Sequence, residues 1–191
     1  MGKFAKLVGT EEKIVEFKKR YGILEDVHIR YVPYGDLALV LYQDLVLPMV
    51  AIVEGGVRIP MHTFLLRFLA HFRLSPLQCA PNVFRIVMGT AVLMEKLGLD
   101  LTVHDITYVY SLQATGRDQY TLVARNAYRK LVTGLPDSSK GRDEDFLVFT
   151  GNWQNPHFNC RLRPGVPGFN CFMSNCFTSF MQCIFVYFCP S

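Results

Sequence analysis

No acidic residue occurs among the last 33 of the 191 residues, where Arg161 and Arg163 are the only basic ones. Cysteine is almost missing from the remainder. Cys79 stands alone there, while Cys160, Cys171, Cys176, Cys183 and Cys189 fall in the acid-free stretch. A body with one cysteine excludes a disulfide framework and fits a reducing, intracellular compartment. The tail cysteines are separated by 10, 4, 6 and 5 intervening residues, so no C-x-x-C pair exists to begin a zinc ribbon. Several catalytic signatures are missing too. There is no G-x-S-x-G, and Gly55-Gly56 is not followed by the lysine of a P-loop. The N-terminus lacks an apolar run long enough for a secretory signal. Lys6 stands where a myristoylation pattern needs Ser or Thr.

What is present is a globular composition. Half of the residues are hydrophobic and 19% are charged, which excludes a wholly disordered chain. The net charge of +4 is too mild to announce nucleic-acid binding by itself.

The first 158 residues divide into recognisable segments. Thr10 caps a predicted helix to Tyr21, with Glu11 and Glu12 at its positive end and Gly22 as its stop. Residues 24–36 read as irregular. Leu37–Val53 suggests a helix ending before Pro48. Glu54-Gly55-Gly56 is a turn. Pro60–Leu74 gives the clearest helix, with Phe64, Leu65, Phe68, Leu69 and Phe72 on one stripe and Pro60 in the first turn. Pro81 opens a central helix closed by Gly98, and Gly89 within it allows another backbone to approach. Thr102, with Asp105 three positions on, caps a helix to about Leu112. Tyr120–Ala124, Tyr128–Thr133 and Asp145–Thr150 read as short strands. The expected fold class is α+β: a mainly helical core, a small antiparallel sheet in the second half, and a tail outside the fold.

Candidate chemistry is sparse. His62 and His71, nine residues apart, face opposite sides of a helix and do not suggest a shared metal. Asp100, Asp105, Asp118, Asp137, Asp143, Glu144 and Asp145 show no spacing that selects a metal-holding set, and surface or capping roles explain them. We therefore expect no catalytic residues, metal, cofactor or small-molecule substrate. The one candidate interface is basic: Arg125, Arg129, Lys130, Lys140 and Arg142, near Tyr120 and Tyr128. Such residues hold a nucleic-acid strand by phosphate contact and stacking, or merely protect a sheet edge. Asp143, Glu144 and Asp145 are expected to cancel much of that charge.

Phe169–Phe188 carries no charge over 20 residues, the length of a membrane span. Asn170, Asn175 and Gln182 lower its hydropathy. Its Phe, Cys, Ser, Tyr and Val content matches T-rich codons, as in translated non-coding sequence. That reading is preferred to a tail anchor, and membrane association is expected only if the tail is genuine.

Several ordered motifs resemble a known family. Gly56-Val57-Arg58-Ile59-Pro60-Met61-His62 with Phe64, then Leu74–Gln78, then Ala80-Pro81-Asn82-Val83-Phe84-Arg85, are similar to the gypsy-type transposon domain of plants. Gly89 and Leu97-Gly98 follow in order. Arg129–Pro136, including Gly134, Leu135 and Pro136, continues the resemblance with Ser138–Gly141, Phe146–Phe149 and Trp153. Phe17–Ile23 matches its entry. Phe84 stands where the family usually has tryptophan, and Arg142-Asp143 also replaces one. The resemblance spans about residues 10–156, leaving 1–9 as an extension and 157–191 as the tail. It implies a gag-like region of plant retroelements without assigned catalytic residues. The expected role is self-association or protein interaction, with weak nucleic-acid binding as the alternative.

Overall fold

The computed structural model describes residues 2–33, 36–37, 44–116, 119–135 and 145–154. Helices are α1 (Glu11–Tyr21), α2 (Met49–Val53), α3 (Thr63–Phe72), α4 (Pro81–Leu97) and α5 (Val103–Val109). Strands are β1 (Val27–Pro33), β2 (Leu45–Pro48), β3 (Tyr110–Gly116), β4 (Gln119–Ala124) and β5 (Asp145–Gly151). The fold class is α+β, with helices packed against small antiparallel sheets.

The strands form two sheets rather than one. β5 lies between β1 and β2, antiparallel to both, and β3 pairs with β4 as a second, two-stranded sheet. Thus the three-stranded sheet takes two of its strands from the first third of the chain. Ile29 sits opposite Phe149, and Tyr31 and Leu47 both sit opposite Leu147. Side chains alternate along a strand, so these residues with Leu45 share the face that joins the main core.

Five helix expectations hold in detail. The Thr10 side chain accepts the Lys13 N–H, and Gly22 closes α1 in the left-handed region with φ 65°. α4 begins at Pro81, whose missing N–H costs nothing in a first turn. Gly98 ends α4 with φ 62°. Asp105 accepts from both the backbone N–H and the hydroxyl of Thr102 at 2.7 Å, which fixes the start of α5.

Other expectations are corrected. Residues 24–36 are not simply irregular, because 27–33 form β1; the partner strand lies over a hundred residues away, so no local pattern reveals the pairing. In 37–53, β2 ends at Pro48 and α2 follows it, while 38–43 lie outside the described residues. Pro48 favours extended geometry at Leu47, and β5 supplies the hydrogen-bond partners. α3 starts at Thr63 rather than Pro60. His62 is its N-cap, with Nδ1 accepting the Phe64 N–H at 3.1 Å. α5 ends at Val109, where the chain turns into β3 instead of continuing to Leu112. Tyr128–Thr133 is no strand, because Asn126 takes the N–H groups of Tyr128 and Arg129 and the Tyr110 hydroxyl takes those of Leu131 and Val132.

The core runs through α1–α5 and both sheets. Phe68, Phe84, Phe149, Leu47, Ile52 and Leu65 are all fully buried. Phe84 therefore fills a central position with a ring. α4 is buried over its first turns, but Val92 and Leu97 near its end are exposed, so it is not apolar-packed all round. Gly89 leaves room for Val132, a side chain rather than a backbone. A Cβ at Gly89 would lie 2.8 Å from Val132 Cγ2. No helix among the described residues is long and apolar enough to cross a membrane, and the tail lies outside those residues.

Candidate nucleic-acid interface

Residues 125–130 leave β4 as an exposed loop held firmly at both ends. At the entry, the Arg125 N–H donates to Val109 O at 2.9 Å, and its Nε donates to Thr107 O at 2.9 Å. Both acceptors belong to α5. At the exit, Tyr110 Oη accepts the N–H groups of Leu131 at 3.0 Å and Val132 at 3.2 Å. Val132 then packs against Gly89 of α4. Inside the loop, Asn126 Oδ1 accepts the Tyr128 N–H at 2.8 Å and sets the turn.

These anchors fix what the loop displays. Arg125, Arg129 and Lys130 are exposed, and Tyr128 is 97% exposed. Tyr108 projects from α5 beside the Arg125 anchor and is 79% exposed. Tyr120 is different: it packs partly buried against the core and offers no open ring. Lys140 and Arg142 lie outside the described residues. Tyr108 was legible in the sequence, since it falls between the inward Ile106 and Tyr110 on the opposite side of the helix.

The expected charge cancellation fails at Asp145. That carboxylate is only 2% exposed and lies at the start of β5. Its Oδ2 accepts the Phe4 N–H at 2.7 Å, and its Oδ1 accepts the Tyr31 hydroxyl at 2.7 Å. It ties the N-terminal turn, with buried Phe4, Ala5 and Val8, to the three-stranded sheet. Asp143 and Glu144 lie outside the described residues. Between Gln119 and Leu135 the chain carries no acidic residue.

The motif residues have a different character, because they build the fold. Gly56 adopts φ 75°, which admits glycine readily. Pro60 follows in a cis peptide after Ile59. Arg58 lies over the Tyr21 ring, 5.4 Å from its centroid. His62 caps α3 and places Nε2 3.3 Å from Glu95 of α4. Pro81 starts α4, and the Asn82 side chain accepts from Arg85 at 3.4 Å. The Arg85 side chain, 8% exposed, also pairs with Glu54, which accepts from Lys3 at 2.8 Å. The Lys3 hydrogen bond and the neighbouring cations hold the Glu54 carboxyl below its ordinary range. Gly134 has φ 70°, Leu135 packs on the core, and Pro136 lies outside the described residues.

Cys79 and Asp105 are not free for chemistry. Cys79 is buried, and burial pushes its thiol up to about 12, far from a thiolate nucleophile at neutral pH. Asp105 is engaged as a helix cap. Among the described residues, no group of three or more His, Cys, Asp or Glu is placed to hold a metal ion.

The chain thus presents an α+β scaffold whose motif residues clamp helices together and whose loop at 125–130 exposes basic and aromatic side chains. Residues 46–114 match the sequence model of a family described as "Putative gypsy type transposon". Gly56–Phe64 and Ala80–Arg85 fall inside the matched segment. The loop at 125–130 lies outside the matched segment. No curated protein and no solved structure matches the chain.

Proposed function

We propose that this chain is a non-enzymatic, gag-like module of retrotransposon origin that binds single-stranded nucleic acid through Tyr108, Arg125, Tyr128, Arg129 and Lys130. The observation that carries this reading is the anchored loop itself. It exposes an aromatic ring almost completely beside three cations, and no acid lies within residues 119–135. Cations contact phosphates of any sequence, and an open tyrosine stacks on any base. The expected binding is sequence-tolerant and weakens with salt.

Fluorescence anisotropy of the full chain with a labelled oligo-dT tests this. Affinity should fall between 50 and 200 mM salt, with a log–log slope near −2 for three phosphate contacts, at about −0.7 per contact. Tyr128→Ala should weaken binding roughly 5- to 100-fold, the range of one lost stacking contact. Absence of binding at 50 mM salt, or equal binding by Tyr128→Ala and Arg129→Ala/Lys130→Ala, would overturn the proposal.

Self-association is a second reading. Val92, Leu97 and Leu99 are exposed at and just beyond the end of α4. A second copy packing there would bury them. Sedimentation of the full chain across a concentration series should show dimer formation that Leu97→Lys abolishes. A strictly monomeric chain at high concentration rejects this reading.

A further inference from the structure

His71 and His104 are 33 positions apart in the chain, yet their rings meet. His71 is in the last turn of α3, and His104 is the second residue of α5. The ring centroids are 5.6 Å apart, with the planes inclined at 73°. Both residues are exposed at this junction, so water and ions reach them. His71 also packs edge-on against Phe72, with centroids 4.8 Å apart, which restrains its ring.

This spacing suits a shared ligand. An imidazole nitrogen binds Zn2+ at about 2.0–2.1 Å, and the ring centre lies roughly 1 Å behind it, so two rings on one tetrahedral ion have centres about 5 Å apart. The observed 5.6 Å exceeds that by only about half an ångström, which a small side-chain rotation closes. Imidazole suits zinc, nickel and copper. Neutral imidazoles are the ligating form. His62 is unsuited to the same role, because its Nδ1 caps α3 and its Nε2 faces Glu95.

We propose that His71 and His104 form a two-imidazole site for a divalent transition-metal ion, with water completing the coordination. The ion would bridge α3 and α5. Because α5 carries the Thr107 and Val109 carbonyls that hold Arg125, it would also brace one end of the basic loop. The site itself is independent of the nucleic-acid reading.

The test uses the full chain with Cys160, Cys171, Cys176, Cys183 and Cys189 each changed to serine, so that thiols do not compete. Titration with NiCl2 by calorimetry should show one ion per chain. His71→Ala and His104→Ala should each abolish that binding, while His28→Ala, on β1, should leave it unchanged. Both histidines of the pair are exposed, and His71→Gln and His104→Gln provide second variants, with circular dichroism checking the fold. Nickel should raise the Tm of the parent but of neither variant. No nickel binding by the parent, or binding that survives either substitution, would overturn the proposal.

Discussion

Asp145–Phe149 of β5 are five consecutive buried residues, whereas Arg125–Lys130 after β4 are six consecutive exposed ones. Both segments carry charge, and the fold treats it in opposite ways. Asp145 is taken out of water and given two donors from distant parts of the chain. The cations of the loop stay in water. Stability therefore concentrates at β5, and binding chemistry is displayed where it costs the fold little. The loop stays ordered because its ends are held by Tyr110 and by α5.

The contrast breaks most sharply at Phe149. Phe149→Ala should cost about 3–5 kcal/mol, the usual cost of an aromatic cavity in a core, measured by urea denaturation. Asp145→Ala should come next, at about 1.5–3 kcal/mol, because it removes a charged acceptor and leaves the Phe4 N–H without it. If Asp145→Ala were neutral, the contrast between the two segments would not hold.

Acid should have a smaller effect, through the α3–α5 junction. The His71 pKa is lowered in the fold, first by burial and then by the His104 charge, from the ordinary 6.5. Above that value His71 is neutral in both states and carries no penalty. As pH falls below it, the unfolded chain binds the proton first, so stability declines through the lowered folded value. His71→Gln should flatten that part of the stability curve, and urea denaturation between pH 7 and 5 checks it. The loop variants should have the smallest effect on stability. Tyr128→Ala and Arg129→Ala/Lys130→Ala should each change it by no more than about 0.5 kcal/mol, while changing oligo-dT affinity. A large loss of stability would show that the loop belongs to the core after all.

The helices and their caps were largely readable from sequence. Thr10, Gly22, Pro81, Gly98 and the Thr102–Asp105 pair act within a few residues of their own positions. Their physics is local: a side chain satisfies an end donor, or glycine takes a positive φ. The family motifs at Gly56–His62 and Pro81–Arg85 were equally visible. Their roles were not, because Arg85 meets Glu54 and His62 meets Glu95 only after α2, α3 and α4 pack.

The basic residues of the candidate site were visible as a cluster, and so was Tyr128. The open position of Tyr108 could have been read from helical phase. That Tyr120 packs inward depended on the pairing of β3 with β4. Asp145 misled, because a carboxylate beside Asp143 and Glu144 in sequence looks solvated. Only a long-range fold brings it the Phe4 N–H and the Tyr31 hydroxyl.

By itself, then, the sequence determined the local elements: helix starts and stops, the amphipathic stripe of α3, the β-prone run of β5, and the basic, acid-free character of residues 119–135. Tertiary structure alone decided the pairing of β1 and β2 with β5, the burial of Asp145 and the meeting of His71 with His104. The reason is range. Caps and periodicity act over one or two turns, whereas strand register and ring contacts join residues tens to more than a hundred positions apart, and no local pattern encodes which partner they will find.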